Sequence, residues 1–459
     1  MFQTPFSIFN PDDDLQPSSL SEILGAFSYA LDLTEGQPAG HSIRACWIGT
    51  HVAMALGLKG EVLRDVYYAV LLKDLGCSSN AARVSKMFVG DDRKLKHDFK
   101  LLGPEPEDFG AFVGSAVGVD ADPDTRGRAI DNLSANAGEI MTEIMAIRCS
   151  RGADIARRLR LSEDVAQAIA HLDEHWDGGG LPLGIAGTDI HLGGRIALLA
   201  QVADVFYTAR GRDAAIAEIR ERSGSWLDPD LCTLFEQVSG SPGFWEDLAR
   251  DDLPERLWAL EPGVQYVTVD EDYLDDICFA FGYVIDAKSP DTAGHSARVG
   301  MIADRIAKIL GMRAESRRVL RRAAILHDIG KLGVSSAILE KPGKLNAEEW
   351  KIMRSHASLT TNILGQISVM GEMAMVAGSH HERLDGKGYP LGLDERSISM
   401  ESRIITVADI YDALTAERAY RPSMSSEKAM SILQGEVGDA VDPQCFAALQ
   451  QVLENGLPE

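Results

Sequence analysis

The residues best suited to chemistry are imidazoles and carboxylates in the C-terminal half of the chain. Five of the eleven histidines lie there, and His327 stands directly before Asp328 at the end of a predicted amphipathic helix. An ionised carboxylate is costly to bury without a cation or a donor network, so this pair needs a partner, and a divalent metal is the leading candidate. A lone pair of this kind also has a plainer explanation, a histidine bonded to a backbone carbonyl and an aspartate that caps a loop.

Further imidazoles and carboxylates on the apolar faces of other predicted helices favour the metal. The candidate ligands are His295, His327, Asp328, His356, His380, His381 and Asp409. Nitrogen and oxygen donors without thiolates suit iron, manganese or a similar divalent ion better than a structural zinc site. This many donors fits two metals better than one, and a metal pair is typical of phosphoester hydrolysis. Lys331 is placed to neutralise a phosphate oxygen, although a lysine there also suits the negative end of a helix dipole.

Composition limits the class of protein. The 459 residues are enough for two or three domains, and a hydrophobic content of 45% is ordinary for a globular chain. A net charge of -24 repels polyanions, so we do not expect binding to extended nucleic acid. The sequence has neither an apolar run of membrane-spanning length nor an export signal, which predicts a cytoplasmic protein without membrane contact. Six widely spaced cysteines argue against a disulfide framework.

The segments around the candidate ligands recur earlier in the chain, which indicates a duplication. The Ala-Gly-His-Ser segment 293–296 repeats segment 39–42 at a distance of 254 residues, and in both copies an aspartate follows the histidine by 33 positions. Further on, segment 385–390 mirrors segment 177–182, and Asp204 is aligned with Asp409. Equal spacing over several helices is hard to obtain by chance.

Both copies have helical periodicity throughout, so the predicted fold is all-α. We expect a first helical domain at 1–240, a connector at 241–269 and a second helical domain at 270–459. The first copy contains about 48 extra residues, at about 90–137, that have no counterpart in the second. We interpret them as a surface excursion with a role in packing or dimerisation rather than in ligand binding, and a homodimer through this domain is one expectation.

The first copy keeps the helical frame but lacks most of the candidate ligands. The replacements are Lys73 for His327, Ser150 for His356, Leu172 and Asp173 for His380 and His381, Cys77 for Lys331, and Gln37 for Asp291. An ammonium group at the position of His327 would repel a metal ion, so the first copy is predicted to be degenerate, with a role in packing, dimerisation or sensing. Three nearby histidines, His171, His175 and His191, leave a single rearranged metal as an alternative.

Three motifs of the second copy resemble the HD-GYP family, a branch of the HD-domain metal-dependent phosphohydrolases. They are His327-Asp328, the run from His380 to Pro390, and the run from Ala408 to Thr415. The resemblance extends from about Asp270 to Leu449 and implies that both copies are HD-type helical domains, the first one degenerate. It also implies a centre of two or three iron or manganese ions that hydrolyses a cyclic dinucleotide, either cyclic di-GMP or 3',3'-cyclic GMP-AMP. The product would be a linear dinucleotide, with further hydrolysis to mononucleotides as an alternative end point.

The resemblance assigns roles to individual residues. The seven candidates above would be the metal ligands, with His327, Asp328 and Lys331 at the centre of catalysis. Asp291 stands where members with a third metal have a glutamate, which is a longer carboxylate. Lys331, Arg418 and Arg421 would bind substrate phosphates. A loop that shapes the pocket mouth or contacts a partner would be formed by Asp385, Gly386, Gly388, Tyr389 and Pro390.

Two other functions compete with this interpretation. The same chemistry could act on another nucleotide or phosphoester, which would show as cleavage of mononucleotides without cleavage of cyclic dinucleotides. The chain could instead be a non-catalytic receptor for a cyclic dinucleotide, for which the degenerate first copy is a precedent. The complete ligand set of the second copy argues for the enzyme.

Overall fold

The computed structural model describes residues 19–103, 105–263, 269–289, 292–417 and 423–456. Within these ranges every regular element is a helix, accompanied by three isolated β-bridges, and the predicted all-α fold is confirmed. None of the described helices has both the length and the apolar character that crossing a bilayer requires. The chain forms two compact units. The first unit comprises residues 19–263 and 335–337, and the second unit comprises the other described residues from 269 onward.

Several helices of the first unit begin with a Ser or Asp N-cap, in some cases followed by Pro at the first helical position. These residues are favoured at helix N-termini. The described helices of this unit are α1 (Leu20–Thr34), α2 (His41–Ala55), α3 (Gly60–Leu71), α4 (Ala81–Phe88), α5 (Asp92–Lys100), α6 (Pro106–Ala116), α7 (Pro123–Arg158), α8 (Glu163–Ala170), α9 (Leu192–Arg210), α10 (Arg212–Glu221), α11 (Pro229–Ser239), α12 (Phe244–Leu248) and α13 (Leu253–Ala259). Helices α2, α3 and α9 pack against one another at its centre.

The extra residues of the first copy are helical and have a core of their own. Helices α4, α5, α6 and the N-terminal part of α7 bury a cluster that includes Phe88, Leu95, Phe112 and Leu133. The expectation of a surface excursion was therefore wrong, because these residues bury enough apolar surface to order a small subdomain. Helix α7 kinks at Asn136, whose backbone has φ -126° and ψ 20°.

The predicted connector is also ordered where it is described. Its helices α12 and α13 belong to the first unit, and their side chains pack on it. The indole of Trp245 donates to the carbonyl of Ser239 at 2.8 Å, and the hydroxyl of Tyr67 donates to the carbonyl of Leu257 at 3.3 Å. Residues 241–263 are thus part of the first unit rather than a linker, because their aromatic and leucine side chains are buried there.

The helices that follow residue 269 repeat the plan of the first copy in a shorter form. They are α14 (Glu271–Asp286), α15 (His295–Ile309), α16 (Ala314–Leu326), α17 (Ser336–Leu339), α18 (Ala347–Leu364), α19 (Gly371–Gly378), α20 (Met400–Thr415), α21 (Ser426–Gly435) and α22 (Pro443–Glu454). Helix α15 packs against both α16 and α20, and the 3-10 turn Ile329–Gly333 packs on α18. These contacts bring the start of α15 and the end of α16 together with the middle turns of α18 and α20.

A close backbone approach defines the register between the copies. A Cβ on Gly330 would lie 1.9 Å from the carbonyl oxygen of His356, and a Cβ on Gly76 would lie 1.9 Å from that of Arg148. Arg148 therefore occupies the position of His356, and the alignment of Ser150 with His356 was wrong. The sequence could not fix this register, because the extra helices separate the two matching segments.

A second register also differs from the sequence alignment. Nδ1 of His295 lies 2.7 Å from a carboxylate oxygen of Asp412, and Nδ1 of His41 lies 2.7 Å from one of Asp204. Asp204 is therefore the counterpart of Asp412, and its alignment with Asp409 was wrong. The offset of 208 residues that relates segments 177–182 and 385–390 continues unchanged into α9 and α20.

We predict that Gly330→Ala and Gly76→Ala each destabilise the protein by at least about 2 kcal/mol, because the added methyl group would overlap a backbone carbonyl. Thermal unfolding followed by circular dichroism measures the change. The control is Gly435→Ala on α21, where nothing lies within 4 Å of the new methyl group and where helix propensity favours alanine. Equal stability of all three variants would contradict the proposed close packing.

Candidate metal centre

The candidate ligands that sequence patterns singled out lie together in the second unit. Their ligand atoms form three overlapping groups, each within 4.8 Å. The groups are His295, His327 and Asp409; His327, Asp328 and His380; and His356, His380 and His381. Two predicted phosphate-binding residues, Arg418 and Arg421, and the predicted third-metal ligand Asp291 lie outside the described residues.

Backbone hydrogen bonds aim three of the imidazoles inward. In each of His327, His356 and His380, Nδ1 donates to the carbonyl oxygen three residues earlier, at 2.7, 2.6 and 2.6 Å. A carbonyl can only accept, so the proton of a neutral ring is on Nδ1 and the lone pair is on Nε2. The Nε2 atoms of these rings face the carboxylate of Asp328 at 3.3 to 3.8 Å.

His295 is oriented by side chains instead. It is the first residue of α15, and its Nδ1 donates to Asp412, whose other oxygen accepts from Nε of Arg298 at 2.6 Å. On the opposite edge of the ring, Nε2 lies 3.4 Å from Asp409 and 3.7 Å from Asp328. A carboxylate that holds the outer nitrogen of a metal-ligating histidine is a common arrangement around metal ions.

The donor set fits divalent metal ions. Within the described part of the chain, Nε2 of His327 and Oδ1 of Asp328 are buried without a hydrogen-bond partner. Such atoms are rare in native interiors, because each loses its interactions with water and gains nothing in return. A cation that accepts both lone pairs would remove this cost, and imidazole with carboxylate is a suitable set for iron, manganese or zinc.

The protonation states at the centre also suit a metal. Burial lowers the pKa of His356 to about 4 and that of His381 to about 3, so both rings are neutral near pH 7. Burial alone would raise the pKa of Asp328, but His327 and Lys331 outweigh it and hold that pKa well below its usual range. Metal ligands must be deprotonated, so His356, His381 and Asp328 are ready to bind without first losing protons. Burial opposes the charge on His295 and His327, but the carboxylates that face them outweigh it, raising the pKa of His295 to about 9 and also raising that of His327, so a metal would displace a proton from these two rings.

The Gly-Tyr-Pro loop, residues 385–390, lies against the ligands. The ring of Tyr389 is 4.8 Å from that of His381, and the guanidinium of Arg354 lies 5.2 Å from the centroid of Tyr389. Lys331 donates to Asp328 at 2.5 Å, and its side chain is 26% exposed, so the ammonium is accessible beside the buried carboxylate. These groups form a wall with one aromatic face and two cations.

Local geometry explains the composition of this loop. Gly386 has φ 72°, and a Cβ on Gly388 would lie 2.4 Å from the backbone nitrogen of Arg383, so both positions need glycine. Asp385 pairs with Arg383 at 3.0 Å and accepts from the backbone nitrogen of Lys387 at 3.0 Å. The loop is held by Glu382, whose carboxylate accepts from three backbone N–H groups at 2.6 to 3.2 Å.

Four supporting residues were not recognised from the sequence as part of the site. They are Arg298, Arg354, Glu382 and Asp412. Three of them could have been found, because Asp412, Arg298 and Glu382 have counterparts in the first copy, Asp204, Arg44 and Glu174, once the helices are aligned without a gap. Arg354 gives no such signal, since its role depends on a loop that folds over α18.

In the first copy, cationic side chains surround the carboxylate that corresponds to Asp328. Asp74 is fully buried and forms ion pairs with Lys73, with Arg148 at 3.2 Å and with Lys100 at 3.5 Å. Lys73 and Arg148 occupy the positions of His327 and His356, and Gln201 occupies that of Asp409. These residues supply the positive charge that a metal would bring, so the degenerate character of this copy has a direct physical basis.

The alternative of one rearranged metal in the first copy is not supported by its histidines. His175 stacks on Trp226 with ring centroids 4.1 Å apart, and His191 caps α9 by accepting from the backbone of Gly193 at 3.1 Å. His171 accepts from the backbone of His191 at 3.1 Å. Each ring is therefore engaged in packing or capping.

We predict that Lys100→Met destabilises the protein by about 3 kcal/mol, because it leaves the buried carboxylates Glu35 and Asp74 with less compensating charge. The double variant Glu35→Gln/Lys100→Met should recover most of this loss. The control is Lys94→Met on the same helix. The Lys94 side chain is 73% exposed, so its ion pair with Asp98 should contribute less than about 1 kcal/mol. Urea unfolding measures all three, and a Lys100→Met variant as stable as Lys94→Met would refute the prediction.

We predict that Asp412→Asn lowers metal affinity by about 10- to 100-fold, because Nδ1 of His295 loses the carboxylate that orients it. Competition with a chelator, read by elemental analysis, measures the affinity independently of turnover. The control is Asp304→Asn. Asp304 lies on the same helix as His295, but its ion pair is with Arg317, which is not a candidate ligand. Equal metal retention by both variants would exclude this positioning role for Asp412.

Comparison with known proteins agrees with this geometry. A model of the HD-domain family matches residues 128–231 and 282–445. The 3'3'-cGAMP-specific phosphodiesterase 3 of Vibrio cholerae serotype O1 is 46% identical over 440 residues, which are 96% of this chain and 95% of that relative. A cyclic di-GMP phosphodiesterase of Thermotoga maritima is 35% identical over 199 residues, which are 43% of this chain and 54% of that relative.

A solved structure extends the similarity to the fold. The crystal structure of the cyclic GMP-AMP specific phosphodiesterase V-cGAP3 of V. cholerae matches with a TM-score of 0.65 and 43% identity, covering 96% of this chain and 99% of that one. The family match covers most of the second copy and the first copy from residue 128 to residue 231, whereas the structural match covers 96% of the chain. The chain belongs to the HD-domain family, and within it to the HD-GYP branch that its His-Asp and Gly-Tyr-Pro motifs indicated.

Proposed function

We propose that the second copy is a metal-dependent phosphodiesterase that hydrolyses a cyclic dinucleotide to a linear dinucleotide, with further hydrolysis to mononucleotides as an alternative end point. The observation that carries the proposal is the convergence of four imidazoles, those of His295, His327, His356 and His380, on one buried carboxylate, Asp328. His381 and Asp409 complete the adjoining groups of candidate ligands. The near full-length similarity to a relative named as a 3'3'-cGAMP phosphodiesterase supports the same activity and favours 3',3'-cyclic GMP-AMP over cyclic di-GMP as the substrate.

We assign the metals to the same residues. His295, His327, Asp328, His356, His380, His381 and Asp409 would hold two ions, iron or manganese, and Asp291 would contribute to a third. When bound, such ions supply positive charge and a water that is deprotonated near neutral pH. The imidazoles of His356 and His381, which are neutral near pH 7, offer lone pairs, and the buried Asp328 offers negative charge that balances the cations.

Other side chains of the second copy would handle the substrate. The ammonium of Lys331 is close enough to the ligands to donate to a phosphate oxygen and to stabilise the charge that develops there. Arg418 and Arg421 would bind the phosphates, because guanidinium groups match their oxygens in a two-pronged geometry. Tyr389, backed by Arg354, presents an aromatic surface beside the ligands on which a base could pack.

We predict that His327→Ala and Asp328→Ala lose metal content and turnover together, each by at least about 100-fold in rate, because both residues share the centre of the donor set. Elemental analysis of anaerobically purified protein measures the metal. Chromatography of the products from 3',3'-cyclic GMP-AMP and cyclic di-GMP measures turnover. The matched control is His191→Asn in the first copy, which keeps a capping acceptor and should retain both properties.

The outcomes of this experiment separate the competing functions. Full turnover in a variant stripped of metal would refute the metal-dependent mechanism. Cleavage of mononucleotides without cleavage of either cyclic dinucleotide would support the broader phosphohydrolase. Binding of a cyclic dinucleotide without turnover, in the presence of iron or manganese, would support the receptor.

A further inference from the structure

Arg354 is a cationic side chain next to the candidate metal centre whose hydrogen-bond donors are unused. It is exposed and lies on α18, two residues before the candidate ligand His356. Its guanidinium is 5.2 Å from the ring centroid of Tyr389 and 5.7 Å from that of Trp350. Within the described part of the chain it forms neither a hydrogen bond nor an ion pair, so its N–H groups are open to a ligand.

Other cations around the centre are already engaged by carboxylates. Arg298 pairs with Asp412 at 2.6 Å, and Arg383 pairs with Asp385 at 3.0 Å. A guanidinium that is paired in this way has little charge left for a ligand, whereas an unpaired one attracts an anion with its full charge. Arg354 therefore differs from these arginines in being available for an anion.

Two aromatic rings hold the guanidinium of Arg354 in place. Arginine stacks well on aromatic rings, because its planar cation is weakly hydrated and is attracted by the negative face of the ring. Tyr389 in turn lies against the candidate ligand His381, with 4.8 Å between the ring centroids, and its backbone nitrogen donates to the carbonyl of His381 at 3.2 Å. One tyrosine thus ties the position of Arg354 to the candidate metal centre.

The first copy shows that the loop does not need this group. In the register that aligns Arg148 with His356, the residues at the positions of Trp350, Arg354 and Tyr389 are Thr142, Ala146 and Leu181. The backbone nitrogen of Leu181 still donates to the carbonyl of Asp173 at 3.0 Å, as that of Tyr389 does to His381. The loop contact is therefore retained without the guanidinium and its rings. Their presence only beside the candidate ligands favours a role in ligand binding.

The proposed substrate supplies an anion for this position. A cyclic dinucleotide has two phosphodiester groups on opposite sides of one macrocycle, and each has a negative charge. When one group is bound for cleavage, the other is held away from the metal ligands, and its two free oxygens match the fork of a guanidinium. The net charge of -24 means that the protein as a whole repels such a dianion, so local unpaired cations must attract it.

We propose that Arg354 binds the phosphodiester group of the substrate that is not being cleaved. The proposal rests on the proposed function, since it takes a cyclic dinucleotide as the substrate of the second copy. It adds a contact from α18 to those assigned to Lys331, Arg418 and Arg421. A contact with a group that does not react is equally strong in the ground state and in the transition state, so its loss should change KM rather than kcat.

Steady-state kinetics of the metal-loaded full chain test the contact. Arg354→Gln should raise the KM for 3',3'-cyclic GMP-AMP about 10-fold and change kcat by less than about twofold. The KM for bis(p-nitrophenyl) phosphate, which has a single phosphodiester group, should change by less than about twofold. Arg354→Lys should raise the KM for the dinucleotide no more than about threefold, because an ammonium also binds phosphate. Unchanged KM in Arg354→Gln, or an equal rise in Arg354→Lys, would overturn the proposal.

The matched control is Arg305→Gln on α15. Arg305 is also exposed, and it lies ten residues beyond His295, about 15 Å along the helix. The variant removes the same charge at a distance, so its KM should stay within about twofold of the wild type. An equal rise in KM would attribute the effect to overall charge and overturn the contact. Elemental analysis should find the same metal content in all variants, and metal loss in Arg354→Gln would overturn it in favour of a role in positioning His381.

The same proteins separate this proposal from the proposed function. If the wild type does not cleave the dinucleotide, the enzyme is refuted, and isothermal titration of the metal-loaded chain with 3',3'-cyclic GMP-AMP replaces the kinetics. The dissociation constant should then be about 10-fold higher for Arg354→Gln than for the wild type. Equal dissociation constants would overturn the contact alone, and a wild type that neither cleaves nor binds the dinucleotide would overturn both proposals.

Discussion

The organisation of both copies depends on one constraint, a carboxylate that is buried at the end of a helix and must be neutralised. Asp328 and Asp74 are 2% and 0% exposed, and neither could remain ionised without adjacent positive charge. The second copy meets this requirement with imidazoles whose inner nitrogens are available to metal ions. The first copy meets it with ammonium and guanidinium groups from its own chain. The same frame therefore supports two different solutions to one electrostatic problem.

The extra helices of the first copy are part of its solution. Helix α5 provides Lys96 and Lys100, which reach Glu35, and Lys100 also reaches Asp74. A copy without metals needs fixed cations near Asp74. Charge balance therefore links the loss of the metal ligands to the presence of these helices. The same helices bring Phe88, Phe99 and Phe112, which line a cavity in the first unit.

Sequence patterns identified the candidate ligands that the structure brings together, but they could not align the supporting residues. The described ligands were recognisable because imidazoles are few and fall on apolar helical faces. The equivalence of Asp204 was missed, because Asp409 and Asp412 are three residues apart and share one face of α20, so periodicity cannot distinguish them. Only the contact with the histidine does so. Likewise, Arg148 could be placed only through the glycine that packs on its carbonyl.

The histidine that both copies retain shows how the frame and the chemistry are separated. His41 and His295 have the same partners, an aspartate at 2.7 Å and an arginine behind it, so the triad joins two helices whether or not ligands surround it. Burial and Lys73 lower the pKa of His41 to about 4. Burial also acts against the proton on His295, but hydrogen bonds to Asp409 and Asp412 raise its pKa to about 9. Identical geometry thus carries opposite preferences for positive charge, and the residues facing the inner nitrogen, rather than the triad, decide whether a copy attracts a cation or repels it.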